Sequence, residues 1–324
     1  MSALSSSLQS NDYYVDAYSH ISIHLEMLRD GPRTNTYHKA LSDPSIFKDA
    51  IVLDVGCGTG ILAIFAAKAG AKHVYALDAS GPMTALARQI IADNGLEDVV
   101  TVVHSKLEDW HPPDLQVDVI VSEWMGYFLL YEGMLDSVLT ARDRFMKPGG
   151  KMFPDKAILY LFSYNDPYDE LAHFEDVCGV NMSAVKPLAR AEPIVDIIDP
   201  RQVVSHPQPV LTLDLDTCPV GSTKSITVSF SIANKTTSNV TGIGGYFEVG
   251  FTHATPPVGF STAPHATTTH WKQTLFPLYK NGPIEIKKNE TLDGVCTIEE
   301  NDKNRRDLDI KLQCAGEAYE FKIK

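Results

Sequence analysis

Apolar residues recur at a helical interval near the start of the chain. From about residue 12 to 41, Ile23, Met27 and Leu28 share a face with His20 and His24. Gly31-Pro32 interrupts that pattern, so two successive helices are expected. The pattern then changes. Ile51-Val52-Leu53-Asp54-Val55 is a short apolar strand, and Gly56-Cys57-Gly58-Thr59-Gly60 turns directly into an apolar helix at 61–69. Residues 74–77 read as a second strand, ending in Asp78. A helix at 82–94 and strands at 99–103 and 118–122 follow, then a loop and a helix at 134–145. Strands alternating with helices imply a parallel sheet. Lys147-Pro148-Gly149-Gly150 reads as a turn, and Phe153-Pro154-Asp155 closes the unit.

Beyond it the texture is different. Segments at 210–215, 225–231, 245–251, 269–276, 283–287 and 308–313 are short and β-rich, with turn signals between them. That is an all-β pattern, sandwich or barrel. A more helical stretch at 167–184 interrupts it early. No internal repeat or low-complexity tract is present.

Composition narrows the function classes. The 324 residues suit one large domain or two ordinary ones, and 44% hydrophobic with 21% charged residues is ordinary globular usage. No run of about 18 apolar residues suggests a spanning helix. The opening MSALSSSLQSNDYY lacks a basic and an apolar region, so it reads as a polar, disordered start rather than a secretory signal. Cys57, Cys178, Cys218, Cys296 and Cys314 are scattered, odd in number and without a CxxC pair. Neither a disulfide framework nor a zinc site is expected, and a reducing compartment is the natural home. The sequons at Asn181, Asn234, Asn239 and Asn289 are then chance matches. The net charge of −13 serves solubility, and it also attracts basic substrates. It argues against a primary nucleic-acid binder.

The chemistry begins at the glycine turn. A Gly-rich turn between strand and helix lets a ligand approach the backbone, and an acid ending the next strand can bind ribose hydroxyls. Here the turn is Gly56, Gly58 and Gly60, and the acid is Asp78. NAD and S-adenosylmethionine both use this logic. The dinucleotide fingerprint needs glycine where Ile61 stands, and Asp54 at the end of the first strand matches the methyltransferase pattern. His20 and His24 have a metal-compatible i, i+4 spacing, but no third ligand lies nearby.

After the fourth strand the chain reads Ser122-Glu123-Trp124-Met125-Gly126-Tyr127-Phe128-Leu129-Leu130-Tyr131-Glu132-Gly133-Met134. Two acids stand nine residues apart in an otherwise apolar and aromatic loop. At these residues the sequence resembles the protein arginine methyltransferases, and the resemblance covers nearly the whole chain from about residue 12. The chemistry agrees. A guanidinium is planar, permanently charged and rich in donors, and two carboxylates can hold it bidentately. They also offset the repulsion between a cationic sulfonium and a cationic guanidinium, and orient one nitrogen toward the methyl.

The resemblance implies further roles. Glu123 and Glu132 would be catalytic, with His270 and Asp30 as a proton-accepting dyad. Tyr14, His24, Met27, Arg33, Asp54, Gly56, Gly58, Gly60, Asp78 and Glu108 would hold S-adenosylmethionine, with Arg33 on its carboxylate and Glu108 on the adenine amino group. Tyr18, Met134 and Trp271 would line the substrate side, Trp271 as a wall of the arginine pocket. Met27 resembles the type I enzymes, which make asymmetric dimethylarginine. Three departures stand out: Asp78 where the family usually has Glu, Gly133 where it usually has Ser, and an arm short of aromatics at His173-Phe174-Glu175-Asp176-Val177-Cys178-Gly179-Val180. The arm keeps Tyr164, Tyr168 and Phe174.

The expected architecture is α/β. A polar segment (1–11) precedes helices over the cofactor (12–50), a Rossmann-like methyltransferase domain (51–153) and a mostly β, barrel-like domain (154–324) with a helical dimerisation arm at about 164–185. The expected partners are Arg/Gly-rich proteins such as RNA-binding proteins or histone tails, and a second copy or a related subunit. No membrane and no direct nucleic-acid contact are expected. The expected location is the cytoplasm, with the nucleus as a second. Two rivals remain. An inert subunit supporting an active paralogue would be expected to lose its loop acids or glycine turn, and an NAD oxidoreductase is opposed by Ile61 and the paired acids.

Overall fold

The computed structural model describes residues 20–166, 170–278 and 282–324. Two helices, α1 (Ile21–Arg29) and α2 (Gly31–Leu41), meet at Asp30. The break falls at Gly31-Pro32 as expected, because proline has no N–H to offer and is tolerated in a first turn. Asp30 caps α2 by accepting from the Arg33 amide at 3.0 Å. The Tyr37 hydroxyl then donates to the Ser122 carbonyl at 2.8 Å, fastening α2 to the sheet. A short α3 (Pro44–Phe47) follows.

The first sheet is parallel throughout. Its strands are β1 (Ile51–Val55), β2 (His73–Asp78), β3 (Val100–His104), β4 (Val117–Ser122) and β5 (Met146–Phe153), in the order β3-β2-β1-β4-β5. The helices α4 (Ile61–Lys68), α5 (Gly81–Asp93) and α6 (Leu135–Phe145) connect them. Strand order reverses between β1 and β4, so a crevice opens beyond the carboxyl ends of those strands, where open α/β sheets bind ligands. The expected Lys147–Gly150 turn lies instead inside β5. Val117 pairs with Met146 but Val119 with Lys151, so the residues between bulge out of register, helped by Gly149 at φ 79°.

The remainder is mostly antiparallel sheet. One sheet orders β7 (Ile194–Asp196), β13 (Gln273–Pro277), β11 (Gly242–Phe251), β6 (Lys156–Tyr164) and β8 (Gln208–Asp214), and β12 (Val258–Ser261) also pairs with β11. A second orders β17 (Glu317–Ile323), β16 (Leu308–Cys314), β15 (Thr291–Glu300) and β9 (Ser225–Ala233). The strands β10 (Ser238–Val240) and β14 (Ile284–Ile286) form a small ribbon. Strict alternation on β16 and β17 buries one face, and Phe276 of β13 meets Phe321 of β17 at 5.1 Å. Phe128 packs edge-on against Phe276 at 5.1 Å, so the core runs unbroken from the double-glutamate loop into the β domain.

Two expectations change here. The arm is not one helical stretch. It carries 3-10 helices at Glu170–Glu175 and Ser183–Val185 and a single turn, α7 (Lys186–Ala189). Cys178 and Gly179 both take positive φ, 53° and 84°, while Val177 and Val180 exchange backbone hydrogen bonds, so a helix cannot run through. The strand expected at 269–276 starts only at Gln273, because Lys272 at φ 51° turns the chain first. The expectation for the segment 1–11 falls outside the described residues.

Candidate active site

The glycine turn lies between β1 and α4. Gly56, Gly58 and Gly60 have φ of 75°, 50° and 81°, a region closed to most side chains. Space is tight as well: a Cβ on Gly56 would stand 2.4 Å from Met134 Cε, and one on Gly58 would stand 3.0 Å from His24 Cε1. The buried His24 of α1 and Met134 thus both close on the turn. Met134, expected on the substrate side, lies against the glycine turn. Asp78 braces it from β2, accepting from the Gly58 amide and the Ser80 amide, both at 2.8 Å.

Asp54 sits fully buried at the base of this turn. Its Oδ2 accepts from the Ala63 amide at 3.1 Å, and its Oδ1 has no partner. Burial pushes its carboxyl up to about 7. The Ala63 hydrogen bond opposes that, and the charge of Asp78 adds to it. Cys57 is likewise pushed well up, chiefly by burial. A buried carboxylate oxygen lacking a donor, beside a turn that admits no side chain, fits a small cationic ligand with hydrogen-bond donors. These residues therefore suit S-adenosylmethionine.

The double-glutamate loop follows β4. Glu123 is almost wholly buried. Its Oε2 accepts from Arg33 Nε at 3.0 Å, and its Oε1 has no partner. Arg33 was expected to face the methionine carboxylate of the cofactor. Here its Nε is engaged by Glu123, and its Nη1 donates to the Met27 carbonyl at 3.3 Å and to Thr34 Oγ1 at 3.4 Å. The Tyr37 hydroxyl, its pKa raised mainly by burial, feels Glu123, Arg33 and Asp54 together, which places the loop acid and the glycine turn in one electrostatic neighbourhood. At the loop's far end Glu132 is half-buried with φ 79°. It and Glu26 both act on Tyr127, whose pKa is raised mainly by burial. Gly133 has a local reason to be glycine. Its φ is 61°, and a Cβ there would lie 3.0 Å from the Arg305 carbonyl oxygen.

The third part arrives from the β domain. His270 Nδ1 lies 2.6 Å from Asp30 Oδ2, and the His270 amide donates to the same oxygen at 2.9 Å. Burial pushes the Asp30 carboxyl up, but its hydrogen bonds from the His270 side chain and from the amides of Arg33 and His270 prevail and hold it below its ordinary value. Trp271 is buried rather than open to a pocket. Its Nε1 donates to the Met125 carbonyl at 2.9 Å, and its ring stacks on Phe260 at 5.5 Å. It braces the double-glutamate loop from behind.

Not every expected residue joins this set. Glu108 is exposed and accepts from Ser137 Oγ at 2.7 Å, at the start of α6. His20 is exposed and caps nothing with its side chain, whereas His24 is buried, so the pair does not converge. Tyr14, Tyr18 and Tyr168 lie outside the described residues. Sequence reasoning missed Tyr37 and Arg306. Arg306 comes from the turn between β15 and β16 and donates from Nη1 to the Glu132 carbonyl at 2.7 Å, and no local signal ties that turn to the loop.

Comparisons with known proteins identify the family and the fold. A family model described as the arginine methyltransferase oligomerization subdomain matches residues 155–318, and a methyltransferase domain model matches 52–150. Protein arginine N-methyltransferase 1 of Chlamydomonas reinhardtii is 46% identical over 96% of this chain and 89% of its own length. Its Saccharomyces cerevisiae namesake is 42% identical over 94% and 88%. Among solved structures, the Trypanosoma brucei PRMT1 enzyme-prozyme heterotetrameric complex with AdoHcy superposes with TM-score 0.89 at 38% identity, covering 95% of this chain and all of that one. Arabidopsis thaliana protein arginine methyltransferase 10 does so with TM-score 0.85 at 30% identity, covering 96% of this chain and all of that one. The chain belongs to the protein arginine methyltransferase family.

Proposed function

We infer that this crevice carries a methyl group from S-adenosylmethionine to an ω-nitrogen of a protein-bound arginine, with Glu123 and Glu132 holding the guanidinium. The observation that carries this reading is Glu123: a carboxylate almost wholly buried, one oxygen paired with Arg33 and the other without a partner. A cationic fork of donors supplies what that oxygen lacks. Bound S-adenosylmethionine supplies the electrophilic methyl. The chain's own residues do the rest. Gly56, Gly58 and Gly60 admit the ligand, Asp54 and Asp78 accept its donors, and His24, Met27 and Arg33 border it. The N–C bond forms as the S–C bond breaks, and one guanidinium proton must leave. Asp30 accepts a hydrogen bond from His270 Nδ1–H, which leaves the lone pair of Nε2 to take up the proton lost by the guanidinium. Tyr14 is assigned to the cofactor side and Tyr18 to the substrate side on the family likeness alone, while Met134 closes the glycine turn and Trp271 supports the double-glutamate loop from behind.

Met27 supports a type I outcome, monomethyl and then asymmetric dimethylarginine, since its unbranched side chain leaves room beside the nitrogen. Net charge −13 supports basic, Arg/Gly-rich substrates such as RNA-binding proteins or histone tails. The scattered free cysteines support a cytoplasmic location, with the nucleus as a second. The oligomerization subdomain supports assembly, and an arm thin in aromatics supports pairing with a related subunit as well as with itself. An inert-subunit reading is not favoured, because the glycine turn and both loop acids are kept.

The test is labelled S-adenosylmethionine with an Arg/Gly-rich peptide, the product identified by mass spectrometry. Wild type should give monomethyl and asymmetric dimethylarginine. Glu132→Gln should lose turnover by at least the loss of a charge-assisted contact, about 1.5–3 kcal/mol, with cofactor affinity nearly unchanged. Near-normal turnover in this variant would sink the two-carboxylate reading, and a purely symmetric product would sink the type I assignment.

A further inference from the structure

Glu132 is held in the left-handed region at φ 79°, which a side-chain-bearing residue keeps only when its surroundings over-determine it. The constraint comes from the other domain. The Glu132 amide donates to the Arg306 carbonyl at 2.8 Å, and Arg306 Nη1 donates back to the Glu132 carbonyl at 2.7 Å. These two bonds close a ring across 174 residues of sequence. At the next residue, Gly133, a Cβ would stand 3.0 Å from the Arg305 carbonyl oxygen.

The turn that presents Arg306 is itself laced. Asn301 Oδ1 accepts from the Lys303 amide at 3.0 Å and the Asn304 amide at 3.2 Å, and Asn301 Nδ2 donates to Asp309 Oδ2 at 2.8 Å. Asn304 Oδ1 accepts from the Arg306 amide at 3.3 Å, while Asn304 Nδ2 donates to Asp307 Oδ1 at 2.7 Å. Backbone bonds from Asn301 to Asp307 and from Asp307 to Asn304 close the hairpin. Short Asx side chains thus fix the position of Arg306 before it meets Glu132.

We propose that Arg306 is a positioning residue for methyl transfer: its two-point clamp sets the backbone of Glu132 and so aims that carboxylate at the substrate guanidinium. This rests on the reading of Glu132 as a substrate ligand. A lysine could supply a donor at the carbonyl, but not the planar fork that fixes Nη1 in place.

The experiment compares R306A, R306K, E132Q, R306A/E132Q and the neighbouring R305A in the full chain. Three quantities are read: kcat and KM with an Arg/Gly-rich peptide, peptide affinity with S-adenosylhomocysteine bound, and S-adenosylhomocysteine affinity alone. R306A should lower kcat/KM about 30-fold and weaken the peptide about tenfold, with cofactor affinity within about twofold. R306K should recover part of the loss, and R305A should match wild type. In the E132Q background, R306A should weaken the peptide by less than about threefold more, because the group it positions has gone.

A full tenfold loss repeated in that background overturns the proposal, since Arg306 would then act elsewhere. So does a crippled E132Q beside a normal R306A, which leaves the Glu132 reading intact. E132Q with normal peptide affinity and turnover defeats the Glu132 reading and this proposal with it. Should R306A fail to fold, R306K decides: reduced peptide affinity at intact cofactor affinity supports the clamp, and normal peptide affinity refutes it.

Discussion

Asp54 is a carboxyl enclosed by protein on every side, and its proton has consequences. Its carboxyl is pushed from 3.8 up to about 7, mainly by burial. The folded chain therefore keeps a proton that the unfolded chain has released. Between about pH 4 and 7 the folded state binds more protons, so its stability falls as pH rises through that window. Asp54→Asn has no such proton to lose. Its unfolding free energy should gain on wild type as pH goes from 5 to 8, by a few kcal/mol at most. Urea denaturation of both proteins at the two pH values checks this, and an identical difference at both would show that Asp54 does not titrate there. The sulfonium and amino group of S-adenosylmethionine favour the carboxylate, so binding near pH 6.5 should release a proton. Calorimetry in buffers of different ionisation heat would detect it.

The double-glutamate loop works as a folded unit. Gly126 and Leu129 bridge across it, and a Cβ on Gly126 would fall 2.0 Å from the Tyr131 carbonyl oxygen. Backbone has nowhere to retreat there, because Trp271 and Arg306 hold the loop from outside. Gly126→Ala must open the hairpin and displace one glutamate against the other. Turnover should fall about 100-fold, the scale of a 1 Å misplacement of catalytic groups. Cofactor affinity should change little, since the glycine turn is a separate element. A variant with ordinary kcat/KM would mean that the loop's shape is not what presents the acids. Trp271→Phe is the milder companion. It keeps the ring but strands the Met125 carbonyl, at a cost of about 1–3 kcal/mol in thermal or urea stability.

The described residues leave apolar side chains in the open on the arm and on α1. Val180 is 56% exposed, Met182 41% and Leu188 73%, while Ile21 and Leu25 stand out from the helix beside the glycine turn. Clustered exposed apolar side chains mark association surfaces, and the matching family model is an oligomerization subdomain. Met182→Asp with Leu188→Asp should shift sedimentation toward monomer and lower activity, more so on dilution, without unfolding the chain. The physical link is ordering: α1 supplies His24 and Met27, and a partner packed on its outer face would fix them. A doubly substituted monomer that is fully active at nanomolar concentration would show that assembly is not needed to order the site.

The alternation of apolar runs and helical faces already specified the parallel sheet, because burial of each element is written in its own local period. The glycine turn and the acids at Asp54, Asp78, Glu123 and Glu132 were visible for the same reason: each sits at the end of a strand or in the loop that follows one. Short-range punctuation failed where partners were distant or backbone angles unusual. Cys178 at φ 53° carries no warning in its residue type, so the arm read as helix. The β6 segment Lys156–Tyr164 went unmarked because its apolar run is nearly continuous and lacks the strict alternation of a half-buried strand, although Pro154-Asp155 and Asn165-Asp166 bound it. The contacts that assemble the site span far greater separations: Asp30 to His270 across 240 residues, Trp271 to Met125 across 146 and Arg306 to Glu132 across 174. Family resemblance anticipated the first, but periodicity anticipated none. A hydrogen bond between two domains depends on how their surfaces dock, and docking is a property of the packed core around Phe128, Phe276 and Trp271 rather than of any local run of residues.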